Sequence, residues 1–358
     1  MVPEHEHLFN HGFYTLALKQ INHRYYVYPS NYIGQYGAYE ALRFLFENGG
    51  YSHLVKEKSI IVSRHNHLND IENARLNISE KFKEKKNIDR NATCVFFAPG
   101  NTIGETEYSL EDFRKGYNEF INKYTYPSSI LTNAPPKDMF KLIVSVEKGS
   151  DCEVKIREFI QGSKYESEVI IVDNSNNEHY EAMCASEFGF VYNGQMLSSA
   201  VALHLNVITM QDMNDLHYMW HTWENRWLAD INTNADRPIV PEFAAGEYWF
   251  GKIATKLADM HTNTDLRWDQ VRGIRPFLTE MLPIKNVNFS KEKNREISFF
   301  ENDASVYDEY EDPIFIMSRK IANSMSVYKN PIAVEPDYNL VKSIPSITEN
   351  NSILGSKI

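Results

Sequence analysis

The sequence has no apolar run approaching the roughly 20 residues that span a bilayer, and its opening, MVPEHEHLFNHGF, lacks the basic-then-apolar layout of a secretory signal. A soluble protein, or one peripheral to a membrane, is expected. Basic charge is also short: 37 Lys and Arg stand against 48 Asp and Glu, a net charge of -11. That balance builds no field to collect phosphate backbones, so nucleic acid and anionic membrane surfaces are not expected partners. Cysteine is scarce. Cys94, Cys152 and Cys184 lie far apart inside apolar segments, which reads as buried thiols in a reducing compartment, with no disulfide or zinc framework. Without a signal sequence, the sequons at Asn91 and Asn288 carry no weight. Glu4 and Glu6 make the opening a poor mitochondrial presequence. Also missing are the GxGxxG, Walker, GxSxG and CxxC patterns, internal repeats and coiled-coil heptads.

What is present is an ordinary globular composition, 42% hydrophobic and 24% charged, over 358 residues. From Thr93 onward short β-rich runs alternate with amphipathic stretches, the pattern of βα units around a parallel sheet. Strands are expected at 93–98, 140–146, 168–172, 188–191 and 207–210. Between them fall helices at 109–124, 152–160, 178–186 and 195–205. Aromatic-rich helices at 216–228, 245–260 and 268–282 follow a sheet read as finished at Met210. Upstream, 13–21 reads as a helix, 24–27 as a strand and the Lys/Glu-rich 81–89 as a linker. The fold class is therefore α/β with a Rossmann-like parallel sheet over 91–283. Residues 1–90 form an N-terminal remnant plus linker. Residues 284–358, acidic and aromatic at first and Ser/Asn-rich at the end, are an extended tail suited to docking on partners.

Four collinear segments resemble the lipid-A-disaccharide synthase family of GT-B glycosyltransferases. Tyr25-Tyr-Val-Tyr-Pro29-Ser30 is similar to its YYVSPSVWAW segment, and Phe97-Ala-Pro99-Gly100 with Gly104-Glu105 to its LPGSRxGE loop. Ala182-Met-Cys-Ala-Ser186 followed by Asn193-Gly194 resembles AxxAS…ASGTAxLE. Asn232 and Arg237-Pro-Ile-Val-Pro241-Glu242-Phe243 resemble NLLAGRPVVPELL. The resemblance covers roughly residues 10 to 282. It implies a GT-B C-terminal nucleotide-sugar domain beside a partial N-terminal one, with the family's glycine-rich opening loop lacking a counterpart. UDP-sugar contacts are implied at Gly100, Glu105, Asn193, Gly194, Asn232, Arg237 and Glu242.

The departures from the family converge on the same ligand. Its Ser-Arg after Pro-Gly is Asn101-Thr102 here, its ribose-binding Glu falls on Ser199, and the Arg expected after the next strand falls on Asp212, which repels phosphate. The resemblance then implies no catalytic residue, no cofactor and no metal. It points to a pseudoenzyme serving as a structural or accessory subunit of a larger, mitochondrial assembly, bound to other subunits through the tail. The alternative is an active UDP-sugar-dependent glycosyltransferase, as one chain of a split enzyme. A nucleotide-sugar sensor without turnover is a third reading.

Blander readings stand beside these. Arg237 and Glu242 can close a rigid loop as an internal pair, and Glu105 can simply stabilise a helix start. His217 and His221 have i,i+4 spacing but no third ligand, while His5, His7, His65 and His67 sit in polar surroundings read as solvated loops. Ser198 and Ser199 lie in an apolar helix and are expected to pack or back-bond.

Overall fold

Segments that repeat apolar residues with period 2 or 3.6 fold into strands and helices in turn. The computed structural model describes residues 16–17, 27–28, 31–63, 66–124, 140–163, 166–192, 194–211, 240–244, 250–263, 265–271, 284–288, 306–316 and 318–319. In chain order it contains β1 (Leu16–Ala17), β2 (Val27–Tyr28), α1 (Asn31–Asn48), β3 (Val55–Lys56), β4 (Ser59–Ser63) and α2 (His67–Lys85). There follow β5 (Thr93–Ala98), α3 (Ile103–Tyr124), β6 (Phe140–Val146), α4 (Asp151–Ile160), β7 (Val169–Asp173), α5 (Glu178–Ala185), β8 (Phe188–Tyr192), α6 (Gln195–Ala202) and β9 (Asn206–Gln211). Last come β10 (Glu242–Ala244), α7 (Phe250–Thr262), a helical stretch at 265–271, β11 (Ile284–Asn288) and β12 (Val306–Glu311).

β5 to β10 form one six-stranded sheet in the order β10-β9-β8-β5-β6-β7, with every neighbouring pair parallel. Counted from β5, that is 6-5-4-1-2-3, the order of a doubly wound Rossmann-like sheet. The expected sheet is present, and it runs one strand further than the sequence indicated. Glu242–Ala244 pairs in parallel with Thr209–Gln211 at the β10 edge, a three-residue strand too short to register as a periodic run.

The strands are buried on both faces, as parallel strands must be. Cys94, Phe96, Ile143, Val172, Val191 and Val207 point into one core, roofed by α1, α2, α5 and α6. Val95, Phe97, Leu142, Val144, Phe190 and Ile208 point into the other, under α3, α4 and α7. In the second core Phe97 stacks on Phe113 at 4.0 Å, and Phe113 on Tyr117 at 5.2 Å. Such aromatic pairs add about 0.5–1.5 kcal/mol each beyond their buried area. In the first core α1 crosses α6 at Gly37, where a Cβ would lie 2.6 Å from Gln195 Cγ. Only a residue without a side chain permits that approach.

Three expectations upstream of Thr93 need correction. Leu16–Ala17 is a strand paired antiparallel with β2, where a helix over 13–21 was expected. Lys81 to Lys85 form the last turn of α2, whose Ile71, Ala74, Ile78 and Phe82 are buried. The Lys/Glu pattern read as a linker is the outer face of an amphipathic helix. His67 begins that helix, buried against Tyr310 at 6.0 Å between ring centroids, and is not in a solvated loop.

Nor is all of 284–358 a tail. β12 lies between β11 and β4 in a four-stranded antiparallel sheet, with Tyr310 opposite Ile60 and Asp308 opposite Val62. Tyr310 is 1% exposed and belongs to the same core as α1 and α2. Asp308, Glu309 and Glu311, set among Tyr307 and Tyr310, mask as a charge run a strand whose Tyr307, Asp308 and Tyr310 are buried. Tyr310→Ala is therefore expected to lower stability by about 3–5 kcal/mol, as large-to-small core changes do. Urea unfolding measures it, and an unchanged midpoint would return these residues to the tail.

Candidate functional site

In a doubly wound sheet, ligands bind beyond the carboxyl ends of the strands, where the order reverses. Here that point lies between β5 and β8, whose last paired residues are Ala98 and Val191. The loop after β5 runs Pro99-Gly100-Asn101-Thr102 into α3. Gly100 has φ +113°, a conformation that side chains rarely adopt, and a Cβ there would lie 2.5 Å from Glu105 Cβ. Glu105 Oε2 accepts the Asn101 N–H at 2.8 Å and the Thr102 N–H at 3.0 Å, while Thr102 Oγ1 accepts the Glu105 N–H at 3.2 Å. This is a reciprocal capping box, Thr102-x-x-Glu105. Gly100 and Glu105 thus explain each other: the glycine makes room for the carboxylate that closes the loop.

The start of α4 is sealed in a similar way. Ser150 Oγ accepts the Glu153 N–H at 3.2 Å, and Glu153 Oε2 accepts the Gly149 N–H at 2.6 Å. That backbone hydrogen bond, then Arg157, holds the Glu153 carboxyl below its usual range. Before α5, Glu178 Oε2 accepts the Asp173 N–H at 3.2 Å and pairs with Lys86 at 2.7 Å. Burial pulls the Glu178 carboxyl upward, but these partners outweigh it and keep it low. The start of α6 differs. Its N-cap is Gly194, at φ +136°, with no side-chain cap and no acidic residue in the first turn. A Cβ at Gly194 would meet nothing within 4 Å.

Of the residues singled out by sequence, Gly100, Glu105 and Gly194 stand at this carboxyl end. Asn193, Asn232 and Arg237 lie outside the described residues, as do Asp212, His217 and His221. Glu242 stands in β10, opposite Thr209. At ~4.8 Å per strand it is roughly 14 Å across the sheet from β5. Ser199, at the family's ribose position, donates to Gly37 O at 3.0 Å and Gln195 O at 3.1 Å. It back-bonds and pins α1 to α6, as its place in an apolar helix implied.

One ionic cluster escaped sequence reasoning. Glu72 on α2 receives both Arg267 hydrogen bonds, at 2.9 and 2.7 Å, and pairs with His204 Nδ1 at 3.0 Å. Arg75 lies 4.0 Å away and donates to the Ser186 carbonyl. Burial pushes the Glu72 carboxyl up, yet the His204 hydrogen bond and the two guanidiniums win and hold it at about 2. The four residues come from segments up to 195 positions apart, so no local spacing reveals them. His204 and Ser186 flank the amino-terminal starts of β9 and β8, the end of the sheet opposite the crevice. Beside them Gln270 clamps the Val207 N–H and C=O at 3.0 and 3.1 Å. The cluster is structural, tying α2, the end of α6 and 265–271 together.

Cys94, Cys152 and Cys184 are buried free thiols, and burial raises the Cys94 thiol to about 11. Among the described residues no group of His, Cys, Asp and Glu could hold a metal ion, and no helix is long and apolar enough to cross a membrane. Compared with protein-family models and with curated proteins, the chain matches none.

The cluster generates a pH prediction. A carboxylate depressed from 4.5 to about 2 contributes stability that is fully present above pH 4.5 and lost as pH falls toward 2. About 3 kcal/mol is expected to disappear across that window. His204, held below 6.5 chiefly by burial, adds to the acid sensitivity from pH 6.5 downward. Urea unfolding at pH 3, 4, 5 and 7 should show this slope, and Glu72→Gln should flatten its lower part. A slope unchanged in that variant would assign the acid sensitivity elsewhere.

Proposed function

We propose that this chain is a non-catalytic relative of the lipid-A-disaccharide synthases, a GT-B-type nucleotide-sugar domain kept as a structural or accessory subunit of a larger mitochondrial assembly. The observation that carries the reading is the loss of the charges the ligand would meet, with Asn101-Thr102 in place of the family's Ser-Arg and Ser199 in place of its ribose Glu. Backbone amides at this turn are the donors a diphosphate would need. Glu105, which the family's motif shares, holds the Asn101 and Thr102 amides here, so the cation beside them decides, and it is missing. The Arg that would follow Pro-Gly is absent, with Asn101-Thr102 in its place, and Ser199 stands where the ribose carboxylate would. Partner subunits then take the place of a substrate.

One feature favours the second reading, a UDP-sugar-binding enzyme or sensor. The start of α6 at Gly194 has no carboxylate seal and no side chain crowding it, so one half of a diphosphate site keeps its donors.

Calorimetric titration of the full chain with UDP and UDP-N-acetylglucosamine separates the two. The non-catalytic reading expects no saturable heat at millimolar nucleotide, with stoichiometric protein partners in mass spectrometry of native material. Micromolar binding, weakened tenfold or more (about 1.4 kcal/mol) by Arg237→Ala or Asn232→Ala, would replace it with the second reading.

A further inference from the structure

Among the described residues, β7 ends the six-stranded sheet and pairs with β6 alone. The outward N–H and C=O groups of such a strand are a template for another strand, and natural edges are blunted by lysine, proline, a bulge or a covering element. β7 has neither lysine nor proline: it reads Val169-Ile-Ile-Val172 and closes on Asp173. Val169, Ile170 and Ile171 are only half-buried. Beside them runs a cleft of about 670 Å³, walled by Val169 and Ile171 of β7 and by one stripe of α4. That stripe is Val154, Arg157, Glu158 and, at the C-cap, Gln161, at helical spacing. Val154 is 54% exposed, on a helix whose opposite side buries Cys152, Ile156 and Ile160.

Charge and spacing select the occupant. A two-fold axis at an edge pairs a strand antiparallel with its own copy, and it demands a surface complementary to itself. With Ile170 on the axis, Val169 meets Ile171 of the second copy, so apolar residues face apolar residues. Asp173 pairs with Val146 at the end of β6, from which the chain turns into α4. Ile170 lies about 10 Å below Asp173 along β7, and the step between Arg157 and Glu158 lies about 10 Å below Asp151 along α4. The same axis therefore sets Arg157 opposite Glu158 of the second copy, and Glu158 opposite its Arg157. Both side chains are available. Glu158 has no partner among the described residues, and Arg157, 62% exposed, gives only Nε and Nη2 to Glu153. Glu166, also on the cleft, is already held by the Gly162 N–H at 2.9 Å. As the crossover from β6 to β7, α4 overlies the gap between them, half a strand spacing inside the edge. The two copies of α4 then stand two strand spacings apart, roughly 10 Å, the distance at which helices pack. We propose that the chain forms a two-fold dimer through β7, joining two sheets into one continuous sheet with α4 packed on its copy across the cleft.

The dimer stands apart from the nucleotide question, because this edge shares no residue with the β5 and β8 loops. Sedimentation velocity of the full chain, from micromolar to hundreds of micromolar, tests it in about 0.15 M salt, which screens most of the repulsion between two copies of net charge -11. A monomer–dimer equilibrium in the micromolar range is expected. Glu158→Arg sets arginine against arginine twice across the axis and should raise the dissociation constant tenfold or more. Arg157→Glu should do the same with carboxylates. Both positions are on an exposed helix surface, and each variant is checked for an unchanged melting curve. The double variant, Arg157→Glu with Glu158→Arg, exchanges the charges but keeps the match, and it should restore the dimer. An edge that takes a strand from a different protein would leave the chain monomeric, and a dimer built on another surface would ignore the reversals. The proposal falls if the chain stays monomeric at hundreds of micromolar, if the single reversals leave the dimer unchanged, or if the double variant is as weak as either single one.

Discussion

A parallel sheet cannot leave either face to water, and in this chain that constraint governs where the other segments go. The crossover helices α3 and α4, with α7, cover one face. α5 and α6 are short, eight residues each, and cannot roof the other face alone. α1 and α2, from before the first sheet strand, complete it, which is why Ala38, Leu42, Leu45, Ile71 and Phe82 share a core with Phe96 and Val191. β4 and β12 then extend the same core through Ile60 and Tyr310. Residues 31–85 are thus integral to the sheet's cover, whatever their origin.

Parallel βα units place helix N-termini, each with unpaired N–H groups and about half a positive charge, along one edge of the sheet. Those donors need an anion. In this chain Glu105 and Glu153 supply it at the starts of α3 and α4. Each carboxylate is worth on the order of 1 kcal/mol to its helix. A site built to receive a phosphate keeps the corresponding donors free at some cost in stability. The arrangement here favours the folded state.

The strands of the sheet were legible because they are continuous apolar runs between turn residues: 93–98 and 140–146 agree with β5 and β6 residue for residue. Helix starts were less so. α3 begins at Ile103, six residues before the Ser109 taken as its cap. Ser109 is buried and bonds Pro99 O at 2.6 Å, while the true cap, Thr102, was already assigned to a ligand loop by the family resemblance. β10 was too short to carry a period, and β12 hid among acidic residues. The candidate site was half legible: Gly100 and Glu105 do meet at the switch point, but their mutual dependence is visible only in three dimensions. The Glu72 cluster was not legible at all, since its members meet only after the chain has folded.

The two ends of α6 bring these threads together. In its middle, Ser199 donates to the Gly37 carbonyl of α1, and its first residue, Gln195, passes close over Gly37. Just past its C-terminus, His204 sits at φ +57°, a conformation costly for a side chain of that size, and is held there by Glu72. A helix of two turns clamped at its centre and its end has little freedom to swing at its start. Gly194, its N-cap, therefore opens a helix held at its centre and its end. Where the family resemblance implies a ribose carboxylate this helix carries Ser199, whose hydroxyl is spent on Gly37 and Gln195.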